Sequence, residues 1–247
     1  MQRDKIVKFC EKYLNVKDFQ DYCHNGLQIE GSRGVNKIIV GVSLSMKLID
    51  IAIKKKAQMM IVHHGIFINM IAQPPVIKGV MRKRLGSLMG HDINLCGYHL
   101  PLDAHPIIGN NISLCKLLGI KKTKPFEVGY IGILEKEMNF SDFAELVDKK
   151  LNVNSYIIPA GPKKIRNIAV CSGAASSRIR SVAEYGVDVF LTGDVREETV
   201  REVEEMGINF INAGHYNTER SGIRNLGELL KNKFKIEVEF VDIPCDI

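Results

Sequence analysis

Short apolar runs alternate with amphipathic stretches along almost the whole chain, and that alternation restricts it to an α/β architecture of mostly parallel sheet with helices outside. Strands are expected at Lys37–Val42, Gln58–Val62, Ile93–Tyr98, Val128–Leu134, Asn167–Cys171, Asp188–Thr192, Ile208–Asn212 and Lys235–Val241. Helices are expected at Met46–Lys56, Val76–Met89, Asn110–Leu118, Ser141–Leu151, Ser176–Tyr185, Arg196–Met206 and Ser221–Lys231, with a basic loop at Lys121–Pro125. The second half resembles the first. A shift of 130 residues lays Ile38-Ile39-Val40 on Ile168-Ala169-Val170, and Met59–His64 on Val189–Asp194. A shift of 116 lays His99…Asp103 on His215…Glu219. Two similar, intimately packed βαβ-type lobes are therefore expected, 1–125 and 126–247, with a site in the cleft between them.

At 247 residues the chain is long enough for a full core, and 45% apolar with 25% charged residues is ordinary for a globular protein. No apolar run reaches the ~18 residues that would span a bilayer, and no signal-peptide core follows Met1, so a cytoplasmic protein is expected. The six cysteines are scattered without a Cys-x-x-Cys, which argues against a zinc ribbon or a redox pair. Net charge is +6, in short clusters such as Lys54–Lys56, Arg82–Arg84, Lys121–Lys124 and Lys163-Lys164. These read as solvated faces. With no tryptophan and no aromatic residues interleaved, they do not form a nucleic-acid stacking platform.

The apolar run Met59–Val62 closes on His63-His64-Gly65, a buried strand delivering two imidazoles to its C-terminal tip. Adjacent strand residues point to opposite faces, so both rings reach one site only where the backbone turns, which Gly65 permits. His99…Asp103 also starts at a strand end, and Pro101 takes the segment out of regular pairing. If a helix begins near Tyr216, His215 and Glu219 share one of its faces. Asp103 could instead cap the next helix, His24, His91 and His105 read as turn or surface groups, and the other histidines could simply close a core. As ligands, three imidazoles and two carboxylates bring two negative charges to a site that two divalent ions load with four positive ones. A bridging hydroxide or an anionic ligand would meet the surplus. Such a pair of ions favours hydrolysis, with His99 beside them as an outer-shell residue or proton shuttle.

The segments Asn25–Gly31, His63–Gly65, Tyr98–Pro106 and Gly214–Arg220 resemble, in order, the motifs of the Nif-three-like family of dinuclear metal-centre hexameric proteins. Many of its members are described as GTP cyclohydrolase I type 2 homologues, and the length is similar to that of the short bacterial branch. The resemblance implies metal ligands at His63, His64, Asp103, His215 and Glu219, with Asp103 and Glu219 as candidate bridges. It also implies two divalent ions per chain, of Zn, Fe, Mn, Ni or Co, and a toroidal homohexamer built as a trimer of dimers. The activity it implies is metal-dependent hydrolysis of a C–N bond in a nucleotide, another small anionic substrate or a cyclic amide, in the manner of GTP ring opening with release of formate. A non-catalytic metal carrier or insertase, or a regulatory scaffold, is the alternative; a carrier would hand its ions to an apo-acceptor within minutes. Longer members often carry a Lys-His-His-like segment after the strand that here ends Thr192-Gly193-Asp194. This chain has Val195-Arg196-Glu197-Glu198 instead.

Overall fold

The computed structural model describes residues 1–67 and 76–245. It is a mixed α/β protein with two sheets, and its contacts divide the chain into two compact units. Met1–Leu102 with Gly222–Ile243 make the first, and Asp103–Ser221 with the C-terminal residues from Pro244 make the second.

The first unit carries strands β1 (Gly26–Ile29), β2 (Lys37–Ser43), β3 (Met59–His64), β4 (Asn94–Gly97) and β11 (Glu237–Phe240) in the order β1-β4-β3-β2-β11. Every pairing but β1 with β4 is parallel. Helix α1 (Arg3–Tyr13) precedes the sheet, α2 (Met46–Lys54) joins β2 to β3, and α3 (Gly79–Gly90) leads to β4. Ser45 starts α2 by accepting the Leu48 N–H on its hydroxyl at 3.2 Å. The run Met59–Val62 is apolar throughout because β3 lies between two parallel neighbours. Met60 and Val62 join Ile39, Leu48 and Ile49 in one core cluster, and Met59 and Ile61 are equally buried.

The second unit holds β5 (Ile120–Phe126), β6 (Gly129–Asn139), β7 (Tyr156–Pro159), β8 (Lys164–Val170), β9 (Val189–Thr192) and β10 (Asn209–Asn212), ordered β5-β6-β8-β9-β10-β7. Only β8-β9 and β9-β10 are parallel; the outer pairings are antiparallel, so this sheet is less parallel than the sequence suggests. The expected basic loop at Lys121–Pro125 is most of edge strand β5. Its helices are α5 (Asn110–Leu117), α6 (Phe140–Leu151), α7 (Ile179–Ala183) and α8 (Glu197–Met206). Side chains alternate across the sheet. Ile168, Val170, Leu191 and Ile211 pack with Leu114, Phe143 and Val147 on one face. Ala169, Phe190 and Phe210 pack with Ile179, Val182 and Val203 on the other. Two helices fall at the unit boundary: α4 (Leu100–Ala104), and α9 (His215–Phe234), which starts six residues before the expected Ser221.

The internal repeat extends to hydrogen bonds that few identities betray. Asn94 accepts from Gly31 N–H at 2.8 Å and donates to the carbonyls of Ser32 and Gln58 at 2.7 and 2.8 Å. Asn209 accepts from Gly161 N–H at 3.0 Å and donates to Pro162 and Asp188 at 2.9 and 3.2 Å. Gln58 Oε1 caps the N–H groups of Asn36 and Lys37, as Asp188 Oδ2 caps those of Arg166 and Asn167. Apart from the two asparagines, each of these positions recurs at the 130-residue offset. The strand registers repeat too, Ile38 opposite Met59 and Ile168 opposite Val189. The halves share one hydrogen-bonding plan, kept by Asn94 and Asn209 alike and by Gln58 in one half and Asp188 in the other.

Five cysteines are buried and Cys245 is exposed. Burial pushes the Cys10, Cys115 and Cys171 thiols up to about 12 and raises that of Cys96 well above its ordinary value. The native protein should therefore expose one fast-reacting thiol to Ellman's reagent at pH 8, and six after denaturation. Several fast thiols in the native state would contradict this packing.

Candidate metal centre

In the first unit, three imidazoles meet at the C-terminal ends of β3 and β4. Ring centroids of His63 and His64 lie 4.5 Å apart, and His99 stands 5.1 Å from the first and 5.5 Å from the second. One ring nitrogen of each lies within 4.8 Å of those of the other two. Each Nδ1 is anchored. His63 Nδ1 donates to the Tyr98 carbonyl at 2.8 Å, and His64 Nδ1 is 3.0 Å from the Ser43 hydroxyl. His99 Nδ1 donates to Asp21 Oδ1 at 2.9 Å. A carbonyl and a carboxylate only accept, so the tautomers of His63 and His99 place the lone pair on Nε2. An outer hydrogen bond on one nitrogen and a basic lone pair on the other is the arrangement of metal-ligating histidine.

Asp21 is the residue that sequence reading misses. Its oxygens also accept from Cys23 N–H at 3.0 Å, Asn25 Nδ2 at 2.8 Å and Leu100 N–H at 3.0 Å. Burial alone would push this carboxyl up, but the bonds from His99, Cys23 and Asn25 outweigh it and hold the pKa at about 2. The Asn25–Gly31 motif belongs to the same scaffold. Asn25 Oδ1 accepts from His99 N–H at 2.7 Å, and Gln28 Oε1 takes the Ile66 N–H at 2.8 Å just beyond the His-His-Gly turn. Exchanging Asp21 for asparagine should leave the fold intact but release the His99 tautomer. Nitrogen-15 NMR of the ring should then change from protonated Nδ1 alone to a mixture. An unchanged ring spectrum would mean that Asp21 does not set it.

In the second unit, Asp103 on α4 and the pair His215 and Glu219 on α9 are the remaining candidate donors. Asp103 is 4% exposed, and its Oδ1 accepts from Asn110 Nδ2 at 2.8 Å and Ser172 Oγ at 3.1 Å, which fixes the carboxylate. The cap of α5 is Gly109, so Asp103 is no helix cap. His215 Nε2 and Glu219 Oε2, one helical turn apart on α9, lie 3.1 Å from each other, with Glu219 only 2% exposed. Gly173 backs this pair with a left-handed φ of +67°. A Cβ there would overlap Glu219 Oε1 and come within 3.2 Å of His215 Nε2. Thr218 locks the turn, donating its hydroxyl to the carbonyls of Gly214 and His215 and accepting the Gly173 N–H at 3.0 Å.

The remaining histidines lie outside both sets. His24 contacts the Leu27 carbonyl at 3.2 Å and His91 the Ser87 carbonyl at 2.8 Å. His105 is buried rather than at the surface, its Nδ1 accepting from the N–H groups of Ile107 and Ile108. Imidazole nitrogen and carboxylate oxygen suit a divalent transition ion, and the residues fit one: the second atoms of His63, His64, His99 and Asp103 are occupied, and Gly173 keeps room beside His215 and Glu219.

Over residues 1–246 the chain matches the family described as Duf34/NIF3 (NGG1p interacting factor 3). The chain belongs to that family. A Haemophilus influenzae relative named "GTP cyclohydrolase 1 type 2 homolog" is 43% identical, over 98% of either chain. Among solved structures, TTHA1606 from Thermus thermophilus superposes with a TM-score of 0.93 at 31% identity, covering both chains in full. HcgD from Methanocaldococcus jannaschii superposes at 0.85 and 27%, over 98% of each chain. The NIF3 resemblance read from the four motifs therefore holds over nearly the whole chain. Among the described residues no helix is long and apolar enough to cross a membrane.

Proposed function

We propose that His63, His64, Asp103, His215 and Glu219 together hold two divalent ions, and that the protein is a metal-dependent hydrolase of a C–N bond in a nucleotide or cyclic amide. The observation that carries this reading is the anchoring of the donors. His63 Nδ1 is committed to a carbonyl and Asp103 Oδ1 to two donors, so each residue offers one fixed ligand atom. A pair of such ions supplies Lewis-acid polarisation and a water whose pKa falls from about 15.7 towards about 7. Glu219 and Asp103, buried in the second unit, bring the negative charge that two cations require. His99, with its Nδ1 proton held by Asp21, offers Nε2 to take a proton from the attacking water and return it to the leaving nitrogen.

The relatives' name makes opening of the GTP imidazole ring, with release of formate, the reaction to test first. The working form in this reading is a cytoplasmic homohexamer. Formate should appear from GTP with added divalent metal and not with a His64→Ala protein. Equal release from both proteins would remove GTP as the substrate.

A further inference from the structure

In the second unit a cleft of about 840 Å³ opens beside His215 at the C-terminal ends of β9 and β10, the end of a parallel sheet where ligands bind. It occupies the position in the second half that the three-histidine cluster takes in the first, since Asp194 stands 130 residues after His64. Its volume is that of a small-molecule site, within the range of about 300–1,000 Å³. Asn152, Asn154, Asn212 and Asn217 line it with Tyr156 and Asp194. Among the described residues no lysine or arginine does, although the chain has 34 of them.

The bonding already made inside the cleft sharpens its chemistry. Both oxygens of Asp194 accept from Ser176, from its N–H at 2.7 Å and its hydroxyl at 2.8 Å, so this carboxylate is fixed. The Gly193 and Gly214 N–H groups are spent on Gly173 O and Asn212 Oδ1, at 2.9 and 3.0 Å. What remains for a ligand is carboxamide, a donor and an acceptor side by side on Asn152, Asn154 and Asn217 and the Nδ2 donor of Asn212, with a half-exposed phenol ring to lie against. A phosphate or carboxylate entering here would meet the Asp194 carboxylate and no lysine or arginine. A ring with a –CO–NH– edge would find its complement.

We infer that this cleft binds an uncharged cyclic amide, a lactam or ureide ring, and that charged groups of any larger substrate stay outside it. The inference rests on the metal-hydrolase reading only in placing the scissile bond near His215. It is tested on the full chain with dihydrouracil and with dihydroorotate, the same ring carrying a carboxylate, by calorimetry on both chelator-treated and metal-loaded protein. Dihydrouracil should bind saturably and at least tenfold more tightly than dihydroorotate. Asn212→Ala and the exposed Asn154→Ala should each weaken it about fivefold, the worth of one hydrogen bond at about 1 kcal/mol. Dihydroorotate or inorganic phosphate binding as tightly would overturn the inference, as would no dihydrouracil binding, or binding indifferent to both asparagines. Asparagine-dependent binding to a protein that takes up no metal would sustain the cleft and sink the metal reading. Metal uptake without ring binding would do the reverse.

Discussion

Replacing Gly173 with alanine is expected to weaken metal binding and stability together. Two costs combine at this position. The left-handed φ of +67° penalises any L side chain by about 1 kcal/mol, and the new methyl overlaps Glu219 Oε1, whose buried carboxylate has little room to yield. An overpacked buried site typically costs about 1–3 kcal/mol, so a total of about 2–4 kcal/mol is expected in thermal or denaturant unfolding. Gly34→Ala is the control. Nothing lies within 4 Å of a Cβ there, its φ is not positive, and the residue is exposed, so its effect should be close to zero. If Gly173→Ala unfolds like the parent protein and keeps its metal, Gly173 is not the wall of a donor site.

The second large effect is metal-dependent stability. Ions that bind only the folded chain stabilise it by about 4 kcal/mol at a thousandfold excess over Kd. For a chain of this size that is about 8–16 °C in melting temperature. Chelation should therefore lower the wild-type melting temperature by several degrees or more, with recovery on adding divalent metal. His64→Ala and Glu219→Ala each remove a donor from a different unit, and each should abolish most of that response. A melting temperature indifferent to chelator in the wild type would mean that the donors are ordinary buried polar groups.

Much of this was legible in the sequence because the informative strands are buried on both faces. The runs Ile38–Val40 in β2, Met59–Val62 in β3, Ile168–Val170 in β8 and Val189–Leu191 in β9 are apolar without interruption, and β3 ends on the histidines that its burial makes conspicuous. Edge strands gave no such signal. β5 exposes four of its seven residues and carries three lysines and a proline, so it reads as a basic loop. β7 is short and exposed at three of four positions, and β1 is four residues with an irregular register. Parallel periodicity also does not say that β11 returns to pair with β2 in the first sheet.

Within the site, His63, His64 and His99 come together at strand ends, and His215 and Glu219 pair on one turn of α9. Asp21 was invisible because it sits in a short polar stretch without periodicity, and only folding brings it to His99, 78 positions away. Gly173 and Ser172 were likewise hidden in the loop after β8. The Asn25–Gly31 motif was seen, but its work as a scaffold for His99 and the His-His-Gly turn needed coordinates.

The proposed pair of divalent ions can be counted. The most direct test is metal content per chain, by elemental analysis of untagged protein purified without chelator, with the Glu219→Ala protein in parallel. About two ions of a divalent transition metal are expected for the wild type, and a clear loss for the variant. No bound metal, and none taken up when divalent ions are added, would contradict that reading.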